Sequence, residues 1–353
     1  PGGTVAGVRI LHTSDWHLGR TLHGVDLLDH QAAYLDHLVE LARSERVHAV
    51  VVAGDVYDRA LPPVRAVELL SETLRRLAEL THVVLTPGNH DSATRLGFAA
   101  QVMRPEVHVR ARVAEVGTPV LVPGEDGEEA WVYALPYLDP DSARTVLAPE
   151  GAELARSHEA VLAAAMGRVR ADVAARRAGG GRGHVLVAAH AFVVGGTPSE
   201  SERDIRVGGV DAVPAGVFQG ADYLALGHLH GPQEVSGAGA PARYAGSPLA
   251  YSFSEVGHRK STVLVTLDAA GARTELVPAP VPRPLADLTG TLEELLSPRF
   301  DEHVGSWVRA TVTDPVRPER LVPTLESRFP HLLVTRHVPV GAPERGHQQR
   351  AAT

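Results

Sequence analysis

Five short segments carry the residues of this sequence that can do chemistry. Each follows an apolar run and brings a histidine, a carboxylate or both: SDWH (14–17), GDVYD (54–58), GNHD (88–91), AAH (188–190) and GHLH (227–230). Imidazole nitrogens and carboxylate oxygens are ligands for Mn²⁺, Fe²⁺ and Zn²⁺. The chain has no cysteine, so thiolate ligands, disulfides and cysteine nucleophiles are excluded. The five segments therefore predict a site for divalent metal ions.

The candidate ligands offer a mixture of oxygen and nitrogen atoms. They are Asp15, His17, Asp55, Asn89, His190, His228 and His230. Asp15 and His17 can point into one site from a tight loop, and Asp55 is the candidate for a carboxylate that bridges two ions. Two ions about 3.5–4 Å apart with such a bridge hydrolyse phosphate esters. Two divalent ions with two aspartates leave a net charge of about +2, which attracts an anionic phosphodiester. The ligand set suits Mn²⁺ or Fe²⁺, and Zn²⁺ is not excluded.

His90 is predicted to be a general acid and not a metal ligand. It follows the candidate ligand Asn89 and precedes Asp91, whose carboxylate is expected to orient the second ring nitrogen of His90. Histidines outside the five segments, including His12, are expected to be structural or surface groups. The catalytic residues predicted from the sequence are therefore His90 and Asp91.

Alternating strands and helices are predicted to position these segments. Strands are expected at 8–12, 49–53, 82–86, 184–189 and 222–226, and amphipathic helices at 28–43 and 64–80. This alternation predicts a layered α/β fold. Every one of the five segments falls at the carboxyl end of a predicted strand, where open α/β sheets place their ligands. One shared site is therefore expected.

The sequence also predicts a division into domains. A main domain is expected over 1–277, with a hairpin around 124–129 and helical structure over 142–177. A proline-rich linker begins near Pro278 and leads into a small α/β domain over 278–340, with helices near 292–296 and 318–328 and strands at 307–313 and 331–337. Residues 341–353 have no periodicity and are expected to be a disordered tail.

Composition and charge limit the classes of partner. The 353 residues are 44% hydrophobic with a net charge of −8, the wrong sign for binding nucleic acid through a broad basic face. Any contact with DNA is therefore expected to be local or shared with a partner. No apolar run approaches the roughly 20 residues of a membrane span, and the first residues lack the features of a signal peptide. A cytoplasmic protein without membrane association is expected.

Longer stretches around the five segments resemble one family. The stretches are ILHTSDWHLGR (10–20), VVAGDVYD (51–58), PGNHDS (87–92), RDIRVG (203–208), ADYLALGHLH (221–230) and YAGSP (244–248). Together they resemble SbcD, the family of nuclease subunits of the bacterial SbcCD exonuclease. The general calcineurin-like metallophosphoesterase pattern would supply only the five metal segments. WVRATVTD (307–314) and TLESRFPHLLVTRH (324–337) resemble the capping domain of the same family. The implied fold is a metallophosphoesterase β-sandwich flanked by helices, with a small C-terminal α/β capping domain.

The resemblance also implies an activity and partners. One manganese ion would be held by Asp15, His17, Asp55 and His230, and the other by Asp55, Asn89, His190 and His228, with His90 assisting cleavage. The implied enzyme is a Mn²⁺-dependent DNA nuclease, with 3′ to 5′ double-strand exonuclease and single-strand endonuclease activities, in DNA end processing, replication, repair and recombination. It would act as a homodimer within a heterotetramer with SbcC, an SMC-like ATPase.

The sequence departs from the family at two points. Asp58 stands where archaeal and eukaryotic relatives carry a second catalytic histidine. The family also has a segment after the capping domain that docks on the ATPase, and no amphipathic helix is predicted after Val340. Either this segment has been removed from the chain or docking uses another surface.

Two alternatives remain open on the sequence alone. The first is a stand-alone metallophosphoesterase that acts on a small phosphodiester or a phosphoprotein, which would need the five segments but no capping domain. The second is a structural subunit whose site is a relic. A relic predicts lost ligands, and every candidate ligand is present in this sequence.

Overall fold

The computed structural model describes residues 7–125, 127–203 and 212–340. The chain forms two compact units, Pro1–Val281 and Pro282–Thr353. The predicted disordered tail at 341–353 lies outside the described residues, as does most of the RDIRVG stretch. Among the helices of the described residues, none is long and apolar enough to cross a membrane.

Strands and helices alternate through most of the first unit. The strands are β1 (Val8–Thr13), β2 (Thr21–Leu22), β3 (Val25–Asp26), β4 (Ala49–Ala53), β5 (His82–Thr86), β6 (Val107–Val109), β7 (Val120–Pro123), β8 (Glu129–Leu135), β9 (His184–His190), β10 (Tyr223–Gly227), β11 (Gln233–Glu234), β12 (Ala242–Tyr244), β13 (Ser261–Asp268), β14 (Gly271–Pro278), β15 (Leu285–Gly290), β16 (Trp307–Val312) and β17 (Leu332–His337). The α-helices are α1 (Leu28–Ser44), α2 (Val64–Ala78), α3 (Ala93–Leu96), α4 (Pro140–Leu147), α5 (His158–Ala178), α6 (Leu292–Leu296) and α7 (Leu321–Arg328). Short 3₁₀ turns lie at Ala100–Val102, Val113–Glu115, Ala215–Phe218, Phe253–Glu255 and Pro298–His303.

Two six-stranded sheets build the first unit. The first has the order β14-β13-β1-β4-β5-β6 and the second the order β11-β12-β10-β9-β8-β7. In the first sheet β1, β4, β5 and the edge strand β6 run parallel, and β13 and β14 join by antiparallel pairing. In the second sheet the four central strands β12, β10, β9 and β8 run parallel, and the edge strands β11 and β7 are antiparallel. The central parallel strands therefore direct their carboxyl ends to a common edge of each sheet.

Three apolar clusters hold these layers together. Between the sheets, side chains such as Ile10 and Val51 of the first pack with Leu186 and Ala225 of the second. The outer face of the first sheet packs against α1 and α2, and the outer face of the second against α4 and α5. The central strands are therefore buried on both faces, which explains their nearly unbroken apolar sequences. The predicted layered α/β fold is confirmed.

Some elements differ from the sequence prediction. The helical stretch expected over 142–177 is two helices, α4 and α5, because Pro149 and Gly151 lie between them and disfavour helix. Pro278, the expected start of a linker, is the last residue of β14. The hairpin β13–β14 was not predicted, although it completes one edge of the first sheet beside β1.

The second unit has its own sheet and core. Its three strands are parallel in the order β15-β16-β17. Leu295 of α6 and Leu325 of α7 pack with Val308 and Ala310 of β16. Thr291 and Glu294 form a reciprocal capping box at the start of α6, which satisfies backbone N–H groups there. The identification of this unit as a capping domain stays a prediction.

Candidate metal centre

The five segments meet where the two sheets adjoin. The loops after β1, β4 and β5 bring Asp15, Asp55 and Asn89 from the first sheet, while the end of β9 and the loop after β10 bring His190 and His228 from the second. Of these loops, the one after β1 also carries His17, and the one after β10 carries His230. The structure thus brings together all seven side chains that the sequence singled out as candidate ligands.

The backbone of these loops is unusual. Asp15, His17 and Asp55 have φ values of 54°, 45° and 49°, in the left-handed region that non-glycine residues seldom adopt. Backbone hydrogen bonds hold the first two in place, from Asp15 N to Gly54 O at 3.0 Å and from His17 N to Asp55 O at 2.9 Å. Strained backbone of this kind often marks functional sites. Here it turns the three side chains inward.

One group of possible ligand atoms surrounds His17. The ligand atoms of Asp15, His17 and His230 lie within 4.8 Å of one another, and all three residues are buried. The Nε2 atoms of His17 and His230 are 3.1 Å apart, and His17 Nε2 is 3.5 Å from Asp55 Oδ2. Asp15 accepts hydrogen bonds from the backbone N–H of His228 and from Ser14 Oγ. These contacts fix its carboxylate inside the site.

A second group surrounds His190. Its Nε2 is 3.4 Å from Asp55 Oδ2 and 2.8 Å from Asn89 Oδ1, while its Nδ1 donates to the carbonyl oxygen of Ala53 at 3.0 Å. The rings of His190 and His228 are 5.3 Å apart in an edge-to-face arrangement. Asp55 therefore contributes to both groups, as a bridging carboxylate must.

Burial and charge set the protonation of the site. Burial lowers the pKa of His17 and of His228, and burial raises the pKa of Asp15 to about 6. At Asp55 burial disfavours ionisation, but the imidazoles of His190 and His17 outweigh it and lower the pKa of the carboxyl. His17 and His228 therefore keep neutral rings whose lone pairs are free for a cation.

The residues fit a pair of cations. His17 Nδ1 is buried without a hydrogen-bond partner. Burial lowers the pKa of His190, but the Asp55 carboxylate outweighs it and raises this pKa to about 9. Positive charge is thus favoured between Asp55 and Asn89, at the point where imidazole, amide and carboxylate ligands converge. A divalent ion would supply this positive charge and would be bound by the same ligands. Mixed nitrogen and oxygen ligand sets of this kind suit Mn²⁺, Fe²⁺ or Zn²⁺.

The predicted partner of His90 is wrong. His90 Nδ1 donates to the backbone carbonyl oxygen of Asp58 at 2.7 Å, and its Nε2 lies 3.9 Å from Asp55 Oδ2. The carboxylate of Asp91 instead accepts from the backbone N–H groups of Gly88, Val56 and Tyr57. Because Asp91 accepts from three N–H groups, it connects the second and third segments. The ring of His90 is oriented instead by the backbone carbonyl oxygen of Asp58.

Sequence reasoning missed several polar contacts of the site. The possible ligand atoms of Asp58, His17 and His90 lie within 4.8 Å of one another. In the sequence, only the spacing of three residues between Asp55 and Asp58 could have indicated that Asp58 belongs to the site. Arg203 donates to the carbonyl oxygen of Asn89, and Arg20 donates to that of Ser201. Neither of these two contacts has a local sequence signature, because each ends on a backbone carbonyl oxygen.

Comparison with known proteins places this geometry in a family. Residues 8–232 match the calcineurin-like phosphoesterase family. The SbcD subunit of the nuclease SbcCD from Bacillus subtilis (strain 168) is 38% identical over 268 residues, which cover 73% of this chain and 66% of that protein. The corresponding subunit from Escherichia coli (strain K12) is 35% identical over 293 residues, which cover 82% and 72%. The chain thus spans about two thirds of the length of these curated relatives.

A solved structure, TT1561 of Thermus thermophilus, aligns with a TM-score of 0.43 and 15% sequence identity. The alignment covers 77% of this chain and 99% of that one.

Fold, ligand geometry and sequence together define a calcineurin-like phosphoesterase, a family of metal-dependent enzymes. Within that class the chain belongs to the SbcD family, the nuclease subunits of SbcCD. The predicted SbcD-like nuclease and metal-dependent phosphodiesterase are confirmed at the level of the family, and the resemblance noted in the sequence is confirmed with them.

Proposed function

We propose that this chain hydrolyses phosphodiester bonds of DNA as the nuclease subunit of an SbcCD-type complex. The supporting observation is the convergence of seven imidazole, carboxylate and amide side chains from five segments in one site, in a chain of this family. Mn²⁺, 3′ to 5′ double-strand exonuclease activity and single-strand endonuclease activity form part of the proposal, as does a role in DNA end processing. An SbcC-type ATPase is the proposed partner, because the relatives are named as one subunit of a complex.

The proposed ligand sets share Asp55. Asp15, His17 and His230 complete the first set; Asn89, His190 and His228 complete the second. The contact between the Nε2 atoms of His17 and His230, at 3.1 Å, supports the first set. The short distances from His190 Nε2 to Asn89 and Asp55 support the second.

The chain's own residues supply the remaining chemistry. When bound, two divalent ions neutralise charge that develops on the attacking and leaving oxygens of the ester. His90 is held by the Asp58 carbonyl oxygen through Nδ1, which leaves Nε2 facing the site. Because the Nδ1 hydrogen is donated to Asp58, Nε2 carries a hydrogen only when the ring is doubly protonated. We assign this imidazolium form of His90 as the proton donor to the leaving oxygen, a role that accelerates such reactions about 10²–10⁴-fold.

The first test is digestion of a blunt, 3′-end-labelled DNA duplex with Mn²⁺ or Mg²⁺. We expect Mn²⁺-dependent release of the terminal nucleotide by the parent. His90→Ala is expected to lower the rate about 10²–10⁴-fold. Asp55→Asn removes the shared carboxylate and is expected to abolish both metal binding and cleavage. Asp36→Asn is the matched control, because Asp36 is an exposed carboxylate that pairs with Arg76.

The outcome also separates this proposal from the stand-alone phosphoesterase. The parent is assayed alone and with the SbcC-type ATPase. Turnover of a small chromogenic phosphodiester without cleavage of any DNA in either assay would contradict the nuclease proposal. Full DNA cleavage by Asp55→Asn would contradict the proposed ligand sets.

We further propose that the protein forms a homodimer through an apolar patch on the first unit. The patch consists of Leu61, Val64, Val67, Phe98 and Val102, which are 66, 73, 43, 79 and 82% exposed. Val67 and Phe98 also line a cavity of about 470 Å³ between α2 and the segment after α3. Val67 and Phe98 line the same cavity, and exposed apolar groups that lie together are typical of protein interfaces.

Light scattering after size exclusion tests the dimer. The parent is expected to have twice the mass of one chain, and Phe98→Asp is expected to yield a monomer that still turns over a small phosphodiester. Val316→Asp is the control, since Val316 is equally exposed but lies in the second unit. A monomeric parent would contradict the proposed homodimer. A dimer that survives Phe98→Asp would show that the interface lies elsewhere.

The cytoplasmic location stays a prediction.

A further inference from the structure

A chain of buried polar side chains leads to the ring of His230. Lys260 Nζ donates to Glu255 Oε2, and Ser201 Oγ donates to Glu255 Oε1 at 2.5 Å. Ser201 Oγ is in turn 2.6 Å from Nδ1 of His230. All four residues are at most 8% exposed. None of the first three belongs to the five segments that supply candidate ligands.

The direction of these hydrogen bonds follows from counting hydrogens. The Glu255 carboxylate can only accept, and it accepts from Ser201, from Lys260 and from the backbone N–H of Tyr251. The single hydroxyl hydrogen of Ser201 is therefore used on Glu255. Ser199 Oγ, at 2.9 Å, is the competing acceptor, but it is more distant and uncharged, and charge-assisted bonds are the stronger ones.

The contact with His230 must then run the other way. Because Ser201 Oγ has no further hydrogen to give, it accepts from His230 Nδ1–H. A neutral imidazole that carries its hydrogen on Nδ1 has its lone pair on Nε2. Nε2 of His230 is the atom that faces His17 Nε2 at 3.1 Å, inside the first proposed ligand set.

We infer that Ser201 and Glu255 are positioning residues, which fix the Nδ1–H tautomer of His230 and direct its Nε2 lone pair at the first metal ion. The inference rests on the metal centre of the proposed function. Hydrogen bonds from a ligating histidine to a carboxylate are common in metal sites. Here a serine hydroxyl is inserted between the ring and the carboxylate, and it comes from the loop after β9.

The surroundings hold this arrangement rigidly. The backbone N–H of His230 donates to Glu202 Oε1 at 2.8 Å, and Lys260 Nζ donates to the carbonyl oxygen of His230 at 2.9 Å. Lys260 also supplies the countercharge that a buried carboxylate requires. Both the ring and the backbone of His230 are thus fixed by residues outside the metal segments.

Mn²⁺ binding to the whole protein tests the inference without relying on activity. Free Mn²⁺ is measured by electron paramagnetic resonance during titration of the parent, Ser201→Ala, Ser201→Thr and Glu255→Gln. The parent is expected to bind two ions. Loss of a residue that hydrogen-bonds to a metal ligand typically weakens metal binding about 10–100-fold. Ser201→Ala is therefore expected to weaken the binding of one of the two ions by about this factor. Ser201→Thr retains the hydroxyl and is expected to restore binding.

Glu255→Gln tests the other end of the chain. A glutamine amide can present a hydrogen to Ser201, which would then donate to His230, so weaker binding of the same ion is expected. Ser236→Ala is the control, because Ser236 is an exposed serine in the same unit. Thermal unfolding of each variant is measured in parallel. Ser201→Ala removes a single oxygen, so it keeps the test decisive if Glu255→Gln fails to fold.

The tautomer itself is observable by long-range ¹H–¹⁵N NMR of the metal-free protein, with His230→Gln to assign the signal. Nδ1–H is expected in the parent and a loss of this preference in Ser201→Ala. An Nε2–H tautomer in the parent, or unchanged binding of both ions by Ser201→Ala, would overturn the inference. Two ions bound by the parent without DNA cleavage would contradict the nuclease proposal alone. Failure of the parent to bind two ions would overturn both.

Discussion

The carboxylates of this site have different roles, and the role of Asp91 is to connect two loops. It accepts three backbone hydrogen bonds, from the loop after β4 and from the loop after β5. Asp91→Asn replaces one accepting oxygen with an NH₂ group that would face these N–H donors. We expect the free energy of unfolding, measured with urea, to fall by about 1.5–3 kcal/mol, as for lost hydrogen bonds to a charged group. Mn²⁺ binding should weaken as well.

The control for Asp91 is again Asp36→Asn, whose carboxylate is exposed at the surface. It should leave the unfolding midpoint nearly unchanged, because surface ion pairs contribute little. If Asp91→Asn unfolded at the same urea concentration as the parent, the joining role of Asp91 would be refuted.

His12 gives a pH-dependent prediction at the same scale. It lies fully buried in β1, where Nδ1 contacts Tyr223 Oη and Nε2 donates to the Leu226 carbonyl oxygen. Burial lowers the pKa of His12 from 6.5 to about 3. Between these pH values the unfolded chain binds a proton that the folded chain excludes. Exclusion of this proton from the folded chain lowers the free energy of unfolding as pH falls from about 6.5 toward 3, whereas above about pH 6.5 the neutral His12 has no such effect. At pH 5 the free energy of unfolding is lower by about 2 kcal/mol.

The measurement is the free energy of unfolding between pH 7 and pH 5 for the parent and His12→Gln. Other groups titrate in both proteins, so the difference between the two slopes reports His12. The variant is expected to show the shallower decline. Equal slopes would mean that His12 is solvated or protonated in the folded protein.

Residues of the site divide into those that a sequence reveals and those that it does not. Asp15, His17 and Asp55 lie in short segments directly after apolar strands, so residue type and spacing were sufficient to predict them as candidate ligands. Glu255 is the last residue of a 3₁₀ turn that lies outside the five segments in the sequence, and it reaches His230 only through tertiary packing. The misassigned partner of His90 has the same cause, since a backbone carbonyl oxygen has no signature in a sequence.

At the scale of elements, glycines allow the strand ends to approach one another. A Cβ atom on Gly88 would lie 2.1 Å from Asp55 Oδ1 and 2.4 Å from the backbone N of Asp55. Gly88→Ala is therefore expected to displace the shared carboxylate and to abolish binding of both Mn²⁺ ions, as measured by titration. Its thermal unfolding temperature should fall too.

Gly167 in α5 provides the matched control, because a Cβ atom there meets nothing within 4 Å. Alanine is favoured over glycine in a helix interior by roughly 0.5–1 kcal/mol, so Gly167→Ala should unfold at a higher temperature and bind both ions. Retention of two tight sites by Gly88→Ala would show that the loops after β4 and β5 can separate without losing the site.

The strands that precede the ligands were predictable because they are buried on both faces and have almost uniformly apolar sequences. The predicted 49–53 and 82–86 are the bounds of β4 and β5. By contrast, β14 alternates between exposed and half-buried residues, and its proline favoured a linker. The helix break before α5 was overlooked because alanine and leucine outweighed Pro149 and Gly151 in the composition of that stretch.

At the scale of the molecule, all candidate ligands lie in the unit Pro1–Val281. We expect a chain ending at Val281 to bind two Mn²⁺ ions and to turn over a small phosphodiester at a rate within a few-fold of the full chain. Loss of duplex digestion with retention of small-ester turnover would assign DNA engagement to the second unit. Circular dichroism controls for folding, and a folded fragment without metal binding would contradict the expectation.

The position of β13 has a consequence for the newly made protein. This strand pairs with β1 through contacts such as Leu11 with Leu264, across about 250 residues of chain. On the ribosome, β1 therefore stays without its antiparallel neighbour until about 250 further residues have been synthesised. Pairing over such distances is slow to form. Until then β1, whose carboxyl end leads to Asp15 and His17, lacks its antiparallel neighbour, so we expect these two candidate ligands to be positioned late.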